Sequence, residues 1–532
     1  MRIPTATLLS LSPALLLLPA VAGCAAYRPD LTCPKQGGPS WTEVASPHFV
    51  VQTDLPEKRS REIVAELELS RAALTSVLGA PSDDAAAAIE VIVFERDRDY
   101  EAATRDLDSA GLYFAKLPSD VEEQRVVVAR GGLDEPTRFL LQHELVHEIV
   151  RRRTARLPWW LDEGLADTFA TVQVEGNTVL VGEPRAGGDF WENAYEHSSY
   201  APRLWKHWFP VDEAPKLAFL LHTNRSFVSG SGRQSLYYAA ARKLVHVLRG
   251  DVEPSFKPRF SAMLSALMSG TAGAEAFAKA YEGVSTDSLE GAYDKYLLDH
   301  REYIETLPFT PPPPAPVKAR TLPEAEVHAL WARLRSQDSQ GAVEEELARG
   351  LSESPGDPAL LYVKVASRLR SNPKTLSEAD VQALRRADPY NPHYLMLQIE
   401  SRFLQMKGRD ATSFTSDERS EMAALVNLLT RVATSPRQRS VSEAFFAADG
   451  RIEAARARGE AIVKANPSCG ICLQIHAEVL LSAGAAEGAL DAAERALALL
   501  PEGQSDAHLK DLIKRAKAAE KEPAPRSPPT PR

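Results

Sequence analysis

Six prolines fall between Leu307 and Lys318 (LPFTPPPPAPVK), four of them consecutive. Proline has no N–H to donate and a fixed φ, so neither an α-helix nor an interior strand runs through such a segment. The chain is therefore divided there, and its two sides read differently. Before the division, short β-branched runs alternate with helical periodicity; after it, helical periodicity alone continues to about residue 520. Of the 38 prolines, five more lie in 521–532 (KEPAPRSPPTPR), and the rest are scattered at ordinary density. A length of 532 residues suggests about three units on its own. With 44% hydrophobic residues the chain is too apolar for disorder, and a net charge of −10 argues against a nucleic-acid binder.

On the first side, His48–Thr53 reads as a strand and 57–79 as an amphipathic helix with Ile63, Leu67, Leu69, Ala73 and Leu74 on its apolar positions. Further strands are expected at Ile89–Phe94, Leu112–Ala115 and Arg125–Ala129. Helices follow at 136–153 and 160–172, then an irregular stretch at 184–234 and helices filling 235–306. Strands first and helices later make an α+β domain with a mixed sheet.

On the second side, small residues precede Pro501 at fixed offsets: Ala496, Ala489 and Gly484. The same punctuation recurs upstream, where Pro467, Ala455 and Gly450 match Pro501, Ala489 and Gly484 at one constant shift. Small residues let antiparallel helices pack closely, and the shift resembles the period of tetratricopeptide repeats. Residues 328–358 and 376–405 read as degenerate copies; a generic alanine-rich bundle is the other reading.

Residues 1–23 carry one basic residue, Arg2, then an apolar stretch with Leu15–Leu18, and end in Val21-Ala22-Gly23. That pattern is a secretory signal too short to span a membrane. Val21-Ala22-Gly23-Cys24 resembles the lipobox of bacterial lipoproteins, which implies lipidation of Cys24; a plain signal peptide cut nearby is the alternative. Three other cysteines occur, Cys33, Cys469 and Cys472, too few for a disulfide scaffold. Cys469 and Cys472 have CxxC spacing without a second pair or a following histidine, leaving a local disulfide or two small buried residues at a helix start.

The chemistry is concentrated at His143-Glu144-Leu145-Val146-His147. At 3.6 residues per turn, His143 and His147 project from one helix face a turn apart and can converge on one metal ion. Glu144 beside them can act as general base on an attacking water. Shortly after His147 begins Leu157-Pro158-Trp159-Trp160-Leu161-Asp162-Glu163-Gly164-Leu165-Ala166-Asp167.

With this second motif the chain resembles the gluzincin zinc metallopeptidases, in particular the peptidase-MA-like proteins of bacterial envelopes. Ser46-Pro47-His48-Phe49 and Tyr238-x-x-Ala241-x-x-Leu244-Val245 extend the likeness over about 41–305. The resemblance implies Glu163 as third zinc ligand, giving one Zn2+ per chain held by His143, His147 and Glu163 with Glu144 as base. Asp167, one turn beyond Glu163, would accept the free ring N–H of a ligand histidine. Trp159 and Trp160 read as packing residues that pin the second helix.

Many gluzincins stabilise the developing oxyanion with a tyrosine or histidine further along; Tyr238 occupies the family-like position, with Tyr237 and His246 as alternatives. Gly111–Phe114 would be the edge strand that pairs with extended substrate. The step from His147 to Glu163 is shorter than in thermolysin or the aminopeptidase-N group, and no Gly-x-Met-Glu-Asn exopeptidase motif occurs, which favours an endopeptidase.

The expected organisation is a signal peptide at 1–23, a tether at 24–40 and a zinc metallopeptidase domain at 41–306. A stiff proline-rich linker at 307–320 then holds it apart from a TPR-like helical domain at 321–520, and a disordered tail closes the chain at 521–532. Two functions follow from this reading. One is a lipid-anchored envelope peptidase acting on protein or peptide substrates, with a partner on its repeats. The other is a non-catalytic envelope scaffold acting through the repeats alone.

Overall fold

A computed structural model describes residues 31–80, 88–104, 111–114, 126–131, 135–151, 153–154, 157–182, 215–223, 228, 234–271, 273–298, 304–336, 339–406, 415–467, 469–500 and 507–521. The expected signal peptide, Cys24, most of the irregular stretch at 184–234 and nearly all of the C-terminal tail lie outside these residues. Among the described residues no helix is long and apolar enough to cross a membrane.

The chain is mostly helical with two small sheets. The larger sheet contains β1 (Thr42–Ala45), β2 (Phe49–Thr53), β3 (Ile89–Phe94), β4 (Gly111–Phe114), β5 (Val126–Arg130) and β9 (Lys318–Thr321), in the order β4-β5-β3-β2-β1-β9. β2, β3 and β5 run parallel, and β4, β1 and β9 pair antiparallel to their neighbours. The smaller sheet is β6 (Gln173–Glu175), β7 (Thr178–Val181) and β8 (Glu305–Pro308). β6 and β7 have no counterpart among the expected strands; a tight loop, Gly176-Asn177, joins them, with Gly176 at φ 56° where a β-carbon would be strained.

Every residue of β3 is buried, because the sheet is covered on both faces. Val91 and Val93 point toward α1 (Glu57–Val77), in a core with Ile63, Val64 and Leu67. Ile92 and Phe94, on alternate positions, join a second core with Trp41 and Tyr100. Tyr100 belongs to α2 (Asp97–Thr104). Behind the first face lie α3 (Glu135–Arg151), α4 (Trp159–Phe169), α5 (Leu217–His222), α6 (Gln234–Leu248), α7 (Lys257–Met268), α8 (Gly273–Ala280) and α9 (Thr286–Leu298).

The second face is closed by α10 (Glu324–Arg335), which contributes Val327, Leu330, Trp331 and Leu334. Here the structure corrects two expectations. The proline-rich segment does not hold the halves apart: β8 at its start pairs with β7, and β9 at its end adds an edge to β1. The first helix beyond it then packs directly on the sheet, because Trp331 and its neighbours need an apolar face that the repeats alone do not supply. Nor is 24–40 a free tether, since Leu31 and Cys33 are buried in the same core.

The remaining helices form hairpins. α10 pairs with α11 (Gln340–Glu353), α12 (Pro358–Ser371) with α13 (Glu378–Ala387), and α14 (Pro392–Met406) with α15 (Ser416–Val432). α16 (Pro436–Ala448) pairs with α17 (Ile452–Ala465) and α18 (Gly470–Ser482) with α19 (Ala486–Ala498), and α20 (Ala507–Lys521) packs on α19. The first helices of the hairpins begin at Glu324, Pro358, Pro392, Pro436 and Gly470, in equal steps apart from a longer one between Pro392 and Pro436. The period is therefore maintained further upstream than the last two copies, and the copies start at 324, 358 and 392 rather than 328 and 376. Asp357, Asn391 and Ser435 each cap a helix that opens with proline, where the missing N–H has no partner to lose. Gly450 and Gly484, one repeat apart, end α16 and α18 at φ 79° and 75°.

One ion pair fixes the two parts to each other. Glu90 on β3 is buried, and Arg333 of α10 binds both its oxygens at 2.7 Å. Removing one partner of a buried pair leaves an uncompensated charge. Arg333→Ala is therefore expected to lower stability to urea by about 3–5 kcal/mol, and Glu90→Leu in the same chain to recover part of that loss. A near-neutral Arg333→Ala would show that α10 does not seal the sheet in solution.

Candidate metal centre

α3 is built by a run in which Leu141, Leu145, Val146, Ile149 and Val150 face the core, and this fixes the rotation of the helix. His143 and His147 then share the face turned toward α4. α4 follows Pro158 and is buried at every position. Trp160 packs edge-on against Phe277 and Trp159 against Tyr237, so both tryptophans pin the helix as packing residues. Gly164 allows α6 to pass close by: a β-carbon there would stand 2.6 Å from the Ala241 carbonyl oxygen and 2.7 Å from the Val245 side chain. The glycine after Glu163 and the small residue at 241 are thus two halves of one helix crossing.

This crossing positions the acids of α4 against the histidines of α3. The Nε2 atoms of His143 and His147 are 3.0 Å apart, and Glu163 Oε2 lies 3.3 Å from the first and 3.4 Å from the second. Each other ring nitrogen meets a carboxylate: His143 Nδ1 is 2.9 Å from Asp167 Oδ1, and His147 Nδ1 is 2.8 Å from Asp162 Oδ1. Where both imidazoles are neutral with the proton on Nδ1, both Nε2 atoms present lone pairs to each other and to a carboxylate oxygen. Three acceptors at such distances repel unless a proton on His143 Nε2 or a cation lies among them. A tetrahedral ion about 2.0–2.1 Å from nitrogen and oxygen ligands spaces them roughly 3.3–3.4 Å apart, close to the triangle found here. The donor set therefore fits a zinc ion.

The electrostatics agree with the geometry. Asp162, Glu163 and Asp167 are all buried on one helix. Burial opposes a charge on His143, but the hydrogen bonds and charges of Asp167 and Glu163, joined by Glu144, outweigh it and hold the imidazole well above the usual histidine range. Glu144 is half-buried and borders a cavity of about 10 Å³, room for no more than a water, between α3 and the sheet with Val91, Val127 and Leu141.

Asp162 is the residue that sequence reasoning misses. The available signal is parity: two histidines one turn apart need two acceptors about one turn apart, and Asp162 and Asp167 on the facing helix satisfy this. Of the three candidates for stabilising the oxyanion, Tyr237 is buried between Trp159 and Phe219. His246 pairs with Asp251 at 2.7 Å and stacks on Tyr296, and burial with the charges of Arg249 and Arg242 pushes it down to about 4. Tyr238 is half-buried on α6. β4 is the edge strand of the larger sheet, antiparallel to β5.

A pH dependence follows from His143. Because its folded-state value is raised, the stability it contributes to metal-free protein is complete below about pH 6.5 and is lost as the pH rises through the raised value. Zinc needs the deprotonated imidazole and reverses the trend. Thermal unfolding of the metal-free chain is expected at lower temperature as the pH rises from about 6.5, while the increment conferred by added zinc grows. An increment that shrinks with rising pH would exclude His143 as a ligand.

No protein-family model matches the chain, and no curated protein matches it. Among solved structures, a thermophilic TPR protein from Thermus thermophilus is similar to part of it, with 19% identity and a TM-score of 0.30, covering 37% of this chain and 98% of that one.

Proposed function

We propose that the protein is a zinc-dependent endopeptidase of gluzincin type whose helical repeats engage a protein partner. The observation that carries this reading is the triangle formed by His143, His147 and Glu163, with a separate carboxylate behind each histidine. A zinc ion held there would supply Lewis acidity, lowering the pKa of water and polarising the scissile carbonyl. Asp162 and Asp167 fix the ring tautomers so that both Nε2 lone pairs face the site. Glu144 accepts the proton of the attacking water and delivers it to the leaving amine. Tyr238 donates to the oxygen that becomes negative in the transition state. The backbone of β4, at the edge of the larger sheet, pairs with an extended substrate.

Export and lipid anchoring at Cys24 on a bacterial envelope membrane belong to the same proposal, and the disulfide between Cys469 and Cys472 supports an oxidising compartment. The repeats support a partner-binding role, because stacked helix hairpins expose an extended surface. If that role were the whole function, the metal triangle would serve no chemistry.

Purified full-length protein is expected to hold about one zinc at this triangle, lost in His143→Ala and in Glu163→Ala. Glu144→Gln should keep the metal and lose hydrolysis of a mixed protein substrate set by about 10²–10⁴-fold. Wild-type cleavage by Glu144→Gln would overturn the mechanism and leave the scaffold reading in its place.

A further inference from the structure

A second cluster of metal-ligating side chains lies on the opposite face of the larger sheet, where the N-terminal segment meets the first repeat. Cys33, Glu324 and His328 each offer a donor atom there, all within 4.8 Å of one another. Glu324 and His328 stand one turn apart on α10 and share a face. Cys33 reaches them from the N-terminal segment, its carbonyl oxygen accepting from Gln36 N and Gly38 N in the tight turn that follows. We propose that these three side chains form a structural divalent-metal site, of the zinc class, that fastens the N-terminal segment to the first repeat hairpin.

The cysteine alone would carry little; His328 carries the case. Its side chain is 2% exposed, and Nδ1 stands 2.6 Å from Glu346 Oε1 on α11. That contact assigns the ring proton to Nδ1 and leaves Nε2 as a lone pair, which has no hydrogen-bond partner although it is buried. A buried imidazole lone pair without a donor is costly unless a cation meets it. The carboxylate behind the ring is the arrangement that orients a ligand histidine, as Asp162 and Asp167 do at the other site. Arg335, 3.2 Å from the second oxygen of Glu346, holds that carboxylate in place. Glu324 Oε1 likewise lacks a hydrogen-bond partner, while Oε2 faces Lys35 at 2.8 Å.

Thiolate, imidazole and carboxylate together suit zinc and its neighbours rather than calcium or magnesium. Zinc at about 2.0–2.3 Å from its ligands holds them roughly 3.3–3.7 Å apart, so each separation needs to close by at most about 1.5 Å. Water or a fourth donor would complete the tetrahedron. The site is walled by Trp41, Leu322 and Trp331, which fits structure rather than catalysis. It does not rest on the peptidase reading.

Cobalt(II) distinguishes the two centres, because a thiolate ligand gives an intense near-ultraviolet charge-transfer band that histidines and carboxylates do not. Full-length, zinc-stripped protein is expected to take up about two Co(II) ions, one of them with that band. Cys33→Ser and His328→Ala should each abolish the band and remove one ion, whereas Cys24→Ser and the Cys469→Ser/Cys472→Ser double variant keep it. His143→Ala should remove the other ion and leave the band intact. Wild-type protein that binds Co(II) without a thiolate band overturns this site whatever the variants do, and leaves the peptidase reading standing. The band without an ion sensitive to His143→Ala does the reverse.

Discussion

A helix buried at every position can carry three carboxylates only where positive charge meets them, and α4 is such a helix. Asp162, Glu163 and Asp167 face two histidines from α3: Asp167 and Asp162 stand behind the Nδ1 atoms, and Glu163 lies beside both Nε2 atoms, where a proton or a cation offsets its charge. The demand propagates outward. α4 must lie at a fixed depth beside α3, so Gly164 accepts the backbone of α6 at a distance no side chain would allow. Trp159 and Trp160 then fill the space on either side of that crossing.

The sheet imposes the second constraint. A strand such as β3, buried on both faces, needs a covering layer on each. α1 and α3 provide one, and the other comes from α2 and from α10, the first repeat helix. The repeat array therefore begins as part of the sheet's own core, and the pair between Glu90 and Arg333 adds a charged contact that only this register satisfies. The prolines between the halves act as a strap whose ends are strands, spanning from the smaller sheet to the larger.

Much of this is legible from local pattern. The strands at 49–53, 89–94 and 126–130 and the helices carrying both motifs lie within three residues of their expected positions, because their periodicity is written in adjacent residues. The pairing of β7 with β6 and β8, and of β9 with β1, leaves little trace: these strands are very short, β6, β8 and β9 are largely exposed, and β8 contains Pro308. Asp162 is hidden for a different reason, since an acid beside a ligand reads like any helix residue until the opposite helix is in place.

By itself, the sequence determined the spacing of His143 and His147, the break in regular structure at the consecutive prolines and the repeat period, since each depends on helix pitch or on proline's missing N–H. The tertiary structure alone decided which carboxylate stands behind which histidine, which face of the sheet receives α10, and that Cys33 meets His328 from the far end of the chain. Apolar faces and acidic side chains are chemically interchangeable along a chain, so only the long-range packing that buries them assigns each its partner.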